Sequence, residues 1–158
     1  DEESHNTVSF ELKTYNIETQ IENLQLNLGQ VSIVVPEYDR AIAYYTDTLG
    51  FQLIEDTKLS DTKRWVVVSP NAQIGGCNLL LAKAATLEQE HAIGNQTGGR
   101  VFLFLYTNNF DNYHARLVSK QVEIINGPRE ESYGKVLVFK DCFGNLWDLI
   151  ERTTSLGD

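Results

Sequence analysis

The sequence predicts an α+β fold made of two tandem βαβββ modules, and three observations predict it. First, residues 28–84 read as a strand, an amphipathic helix and three further strands divided by short turns. Second, the same order returns over residues 99–152. Third, the two copies align: Gln30 precedes Asp39 by nine residues as Phe102 precedes Asp111, and Asn78-Leu79-Leu80-Leu81 matches Asn145-Leu146-Trp147-Asp148. Internal symmetry of this kind constrains the whole fold.

In the first copy, LGQVSIVV (28–35) alternates as a strand, and YDRAIAYYTDTLG (38–50) carries a helical apolar stripe closed by Gly50. FQLIED (51–56), KRWVVVSP (63–70) and CNLLLAKA (77–84) follow as strands, separated by Ser, Asp, Asn, Pro and Gly. In the second copy, GRVFLFLYT (99–107) is a strand and FDNYHARLVSK (110–120) a helix. VEII, KVLVFKD and NLWDLIE, from 122, 135 and 145, are three more strands. Asp39 and Asp111 each open a helix, where a carboxylate accepts from free amides and suits the positive end of the dipole. The linker, 85–98, carries a short helix and a Gly-rich turn. Residues 1–27 form an N-terminal extension: Leu24, Leu26 and Leu28 alternate as in a strand, whereas Ile17, Ile21 and Leu24 fit a helix. Both readings stay open, and such a segment can cover an edge strand. Residues 153–158 are a C-terminal tail.

A chain of 158 residues with 42% hydrophobic content suits one compact domain with a real core. Thirteen basic against twenty-two acidic residues give a net charge of −9, and the basic residues are scattered. This argues against nucleic acid and anionic membrane as partners. No apolar run approaches the roughly 18 residues of a membrane helix, and DEESHNTVSF lacks the basic and apolar regions of a signal peptide. A soluble cytoplasmic protein is the expectation. Cys77 and Cys142 lie in no metal or Cys-x-x-Cys spacing and read as reduced thiols. Asn95-Gln96-Thr97 matches a glycosylation pattern that matters only in a secretory compartment.

The stretches VSIVVPEYDRAIAYYTDTLGFQLIED, IGNQTGGRVFLFL and YGKVLVFKDCFGNLWDLIE resemble the vicinal oxygen chelate superfamily of glyoxalases, bleomycin-resistance proteins and extradiol dioxygenases. The resemblance covers about residues 28–152. It implies curved mixed sheets around a cavity, the glyoxalase-like fold, and a homodimer. It also implies a divalent ion (Mn, Fe, Ni, Zn or Mg) held by the first and last strands of each module. Carried over by position, those sites are Gln30, Phe102, Leu81 and Asp148. Leu and Phe offer no donor, so the family metal site is incomplete, and any metal would rest on Gln30 and Asp148. No cofactor is expected.

On the same resemblance, strand alternation groups Gln30, Ser32 and Val34 with Arg100, Phe102, Phe104, Tyr106, Leu79, Leu81, Lys83, Leu146, Asp148 and Ile150 around an apolar, aromatic cavity. Such a mixture suits a small molecule, with apolar walls for affinity and a few polar groups for orientation. Val31, Ile33, Val35, Trp147 and Leu149 would pack beneath the helices.

Each candidate has a functional and a structural reading. Asp148 either finds a cation, or has its pKa raised and becomes a general base, or is simply paired. Gln30 serves the pocket or its neighbours' hydrogen bonds. Phe102, Phe104 and Tyr106 stack on a ligand or fill a core. Arg100 holds an anionic group or pairs with a surface carboxylate. GNQTGGR leads into a strand and lacks the Gly-Lys-Ser/Thr ending, so it is not a phosphate loop. His5, His91 and His114 have no i, i+4 partner, and Ser69 and Ser119 have no nucleophile context.

Three functions remain. One is a metal-free binder of a small organic ligand, like the drug-sequestering relatives. The second is a lyase, isomerase or dioxygenase of the same superfamily, metal-dependent or with Asp148 or Glu151 as base. The third is a non-catalytic interaction module.

Overall fold

The computed structural model of the protein describes residues 24–153. The expectations for residues 1–23, including His5, and for 154–158 lie outside the described residues. Residues 24–29 form neither helix nor strand, and Leu24, Leu26 and Leu28 are exposed.

The elements are β1 (Gln30–Val35), α1 (Tyr38–Ala43), β2 (Gln52–Lys58), β3 (Arg64–Ser69), β4 (Asn78–Lys83), α2 (Leu87–Ala92), β5 (Leu103–Tyr106), α3 (Phe110–Ser119), β6 (Glu123–Glu131), β7 (Gly134–Lys140) and β8 (Leu146–Arg152). A π-helical turn, Tyr44–Thr48, extends α1. Each module forms one four-stranded mixed sheet, β1-β4-β3-β2 and β5-β8-β7-β6. In both, the first and last strands pair in parallel and the others antiparallel. The two-module α+β fold read from the sequence is therefore the fold observed. Among the described residues no helix is long and apolar enough to cross a membrane.

Local chemistry explains the helices. Tyr38, Ala41 and Tyr45, at i, i+3 and i+7, bury one stripe of α1 and its extension. Gly50, with φ +78°, then reverses the chain in a conformation that disfavours a Cβ. The capping role expected of Asp39 and Asp111 falls to earlier residues. Glu37 Oε2 accepts from Asp39 N at 2.9 Å, and Asn109 Oδ1 accepts from Asn112 N at 3.1 Å. Asp39 and Asp111 remain in the first turns, where their charge still suits the dipole.

One hydrophobic core joins the modules. It takes Ile33, Val35, Val66, Val68, Leu79 and Leu81 from the first sheet and Leu137, Phe139, Trp147 and Leu149 from the second. Tyr45, in the π-helical turn that extends α1, reaches across to Trp147, with ring centroids 6.3 Å apart, and its hydroxyl donates to Asp141 Oδ2 at 2.7 Å. Arg116 of α3 donates to the carbonyls of Thr48 and Asp47. The inner faces of both sheets thus share this core, and their outer faces look away from it.

The register corrects the repeat alignment in the fourth strand. In parallel pairing Ser32 lies beside Leu80 and Ile33 beside Leu81, while in module two Phe104 lies beside Asp148. The counterpart of Asp148 is therefore Leu80. Leu81 is fully buried with Leu79 in the core, not on the cavity face. Strand side chains alternate between faces, so a slip of one residue moves a side chain to the opposite side.

Candidate functional site

Alternation along β5 and β8 puts Phe104, Tyr106, Leu146, Asp148 and Ile150 on the outer face of the second sheet, whereas Phe102, just before β5, is half-buried and packs against the core. Phe104 and Tyr106 are 56% and 52% exposed, unusual for large aromatics within a sheet. They form an apolar wall open to solvent. Arg152 lies over the Tyr106 ring, 4.2 Å from its centroid.

Asp148 sits between this wall and two residues that sequence reasoning missed. Across β7, Val138 pairs with Asp148 and Asn126 pairs with Val138. A bulge then carries β6 to Arg129, opposite Val136. Arg129 donates to Glu131 Oε1 at 2.8 Å and to Asn126 Oδ1. The signal for these residues was the Gly127-Pro128 pair inside a strand pattern, which marks a bulge but not the face it aims at.

Among the described residues, Asp148 accepts no side-chain hydrogen bond and makes no ion pair. Burial raises its pKa above the ordinary carboxylate value, and the charge of the Arg129 guanidinium opposes the shift. Asp141, seven residues earlier in the turn that leads into β8, is the opposite case. Its carboxylate accepts from the Tyr45 hydroxyl, the Trp147 indole, the Asn145 amide and the backbone of Phe143 and Asn145. That buried network holds the turn closed and is structural.

The other predicted site residues divide. Gln30 and Ser32 are exposed on the outer face of the first sheet, not beside Asp148 within the same chain. Arg100 is exposed and makes no ion pair among the described residues; its carbonyl accepts from Thr97 Oγ1 at 2.7 Å. Glu151, considered as a base, is corrected: it follows Asp148 by an odd number of residues, faces the other side, and accepts from Phe110 N at 3.1 Å. It anchors the start of α3. Two hollows of ≈ 380 and ≈ 480 Å³, one around Asn109 and Arg116 and one around Lys120 and Cys142, both exclude Asp148.

The chemistry of the donors does not fit the divalent ion implied by the resemblance. With the register corrected, the four positions hold Gln30, Leu80, Phe102 and Asp148, and only two offer a donor. Among the described residues no three His, Cys, Asp or Glu side chains cluster to hold a metal.

Comparison with known proteins agrees with this architecture. Residues 27–149 match the profile of the glyoxalase/bleomycin resistance protein/dioxygenase superfamily. An uncharacterized protein of Shewanella frigidimarina (strain NCIMB 400) is 46% identical over 129 residues, spanning 81% of this chain and 95% of its own. Among solved structures, UcmS2 is similar with a TM-score of 0.69 at 25% identity, over 80% of this chain and 98% of its own. TnmS3, an antibiotic binding protein from Streptomyces sp. CB03234, has a TM-score of 0.65 at 24% identity, over 83% and 98%.

Proposed function

The chain belongs to the glyoxalase/bleomycin resistance protein/dioxygenase superfamily, and on that premise we propose that it binds a small, partly aromatic organic molecule without a metal. The ligand lies against the outer face of β5–β8. The observation that carries this reading is the half-buried, unpartnered Asp148 beside the exposed wall of Phe104 and Tyr106. Apolar surface that is this exposed, with a few polar groups set into it, is what a ligand site offers. The likeness to TnmS3, named for antibiotic binding, supports it.

A single chain leaves this face uncovered, so a second copy closes it. In the homodimer the outer face of one copy's first sheet, with Gln30 and Ser32, covers the outer face of its partner's second sheet. The third reading, a pure interaction module, is then the same contact without a ligand.

The test uses Nile red, a neutral flat dye that brightens in apolar sites. The wild-type protein is expected to bind it, and Phe104→Ser to weaken binding about tenfold or more, as loss of a central aromatic anchor does. Unchanged binding in Phe104→Ser would refute this site. Sedimentation should give the mass of a dimer. Elemental mass spectrometry after incubation with Mn, Fe, Ni, Zn and Mg tests the metal-free part, which near-stoichiometric retention lost in Asp148→Ala would overturn.

A second reading has one observation in its favour. A carboxyl held above its ordinary range suits a general base. Turnover that vanishes in Asp148→Asn, with fold and ligand affinity intact, would establish it.

A further inference from the structure

We infer that the ligand is an aromatic cation, and that two carboxylates from opposite modules read its charge: Asp148 of one copy and Glu55 of the partner subunit. Trp65 of the partner subunit supplies the facing wall. This rests on the binding site and the paired copies proposed above, and it names their ligand class.

Register identifies Glu55 and Trp65. Val66 and Val68 are in the core, so alternation turns Trp65 and Val67 to the outer face of the first sheet. Glu55 pairs with Val67 and Thr57 with Trp65, which puts Glu55 and Thr57 on that face too. The Thr57 hydroxyl donates to Glu55 Oε1 at 3.2 Å, which confirms that the two side chains share it. Val67 also pairs with Leu80, and Leu80 with Ser32. The first module therefore presents the row Glu55, Val67, Leu80, Ser32. The second presents Asn126, Val138, Asp148, Phe104 at equivalent places. Each row contains one carboxylate, at a different place, so facing rows bring two acids and two aromatic walls to one space.

Electrostatics gives the sign. Every cation that register places on the outer face of the second sheet already has a partner. Arg129 pairs with Glu131 at 2.8 Å, Lys140 with Glu123 at 3.9 Å, and Arg152 lies on the Tyr106 ring. The strands of the first sheet place no Lys or Arg on their outer face. Asp148 and Glu55, by contrast, make no ion pair among the described residues. A carboxylate taken further out of water needs a cation to offset its desolvation, and the chain as a whole is acidic, at −9. The aromatic wall is suited to the same charge. Its Tyr106 already holds a planar cation, the Arg152 guanidinium, and a ligand cation over Phe104 or Trp65 gains the same attraction to the ring face.

The experiment holds the ring system constant and varies its charge. Calorimetric titration of the full-length protein compares 9-aminoacridine, a cation at neutral pH, with neutral acridine and anionic acridine-9-carboxylate. The cation is expected to bind about tenfold or more tighter than acridine, the size of one charge-assisted contact. Glu55→Gln and Asp148→Asn should each remove about that preference, read as the ratio of 9-aminoacridine to acridine affinity, and Trp65→Leu should weaken all probes that bind. Circular dichroism checks that each variant is folded. Equal affinity for the three probes, or preference for the anion, overturns the ligand class but leaves the binding site standing. Preference lost in Asp148→Asn alone overturns the part given to Glu55. If no acridine binds but Nile red does, the aromatic cation is wrong. If Nile red fails as well, the site itself is wrong.

Discussion

The two modules share one strand order and differ most in how their last hairpins are held. In module two the turn into β8 closes on Asp141, whose buried carboxylate gathers five donors from the turn, β8 and the helix of the other module. In module one the connection into β4, residues 70–77, is mostly exposed. There Asn71 Oδ1 accepts only the local amides of Gln73 and Ile74. The difference shows what fixes Asp148. A turn stitched to the core presets β8, so its outward side chains are held ready without support from a ligand. It also separates two carboxylates by their partners: Asp141 with five donors is architecture, and Asp148 with none is available.

The strongest way to break this comparison is to remove the anchor. Asp141→Ala leaves the buried Tyr45 hydroxyl and Trp147 indole without an acceptor, at a cost of about 3 kcal/mol or more. Burial and the Asp141 charge hold the Tyr45 pKa well above its ordinary value, so the hydroxyl stays a donor throughout the working range. Asn71→Ala in the other hairpin should stay within about 0.5 kcal/mol. Urea unfolding measures both, and equal losses would mean that the hairpins are not held differently.

A smaller effect sharpens the same contrast. Gly94 of the linker has φ +72°, and a Cβ there would lie 2.4 Å from the Phe143 carbonyl oxygen in the module-two turn. That oxygen belongs to backbone, as does the next atom met, Gly144 Cα at 3.2 Å, and neither can swing aside. Gly94→Ala therefore combines a left-handed conformation with overpacking, for a loss of about 2 kcal/mol or more. Gly76, in the module-one hairpin, has φ +110° but nothing within 4 Å of the added carbon. Gly76→Ala should cost only the conformational part, about 1 kcal/mol. Thermal melts of the two variants should keep that order.

The sequence made the fold legible because each element had its own period. Tyr38, Ala41 and Tyr45 marked a helix, and Gln30 to Val35 alternated as a half-buried strand. The candidate face was legible where polar and apolar residues alternated, as around Asp148. It was illegible where they did not. Leu79-Leu80-Leu81 is apolar at every position, so nothing in it says which Leu faces inward, and the repeat alignment slipped by one. Lys135 to Lys140 hides Val136 and Val138 for the same reason. Asn126 and Arg129 escaped because a bulge breaks the period between them, and Glu55 because a bulge follows Leu53. Asp141 could have been seen: an Asp that opens a tight turn before Gly-Asn is a natural acceptor for its amides.

The last test addresses whether Asp148 is truly without a partner, and its sign is informative. Burial raises the carboxyl's pKa in the folded protein. Above the unfolded value of about 3.9 the native state therefore holds its proton more tightly than the unfolded chain does, and stability falls as pH rises through that window. Once pH exceeds the folded pKa the penalty is complete and constant. Asp148→Asn carries no such penalty, so its melting temperature should exceed that of the wild type at neutral pH. The gain should shrink as pH is lowered towards about 3, where the wild-type carboxyl is protonated in both states. Leu80→Asn, at the equivalent place in module one, keeps Asp148 and adds no titrating group, so its difference from the wild type should stay constant across the same pH range. Melts across this pH range distinguish the cases. A wild type more stable than Asp148→Asn at neutral pH would mean that the charged carboxylate gains a cation on folding. Asp148 would then be architecture, as Asp141 is, and the two carboxylates could no longer be told apart by what they lack.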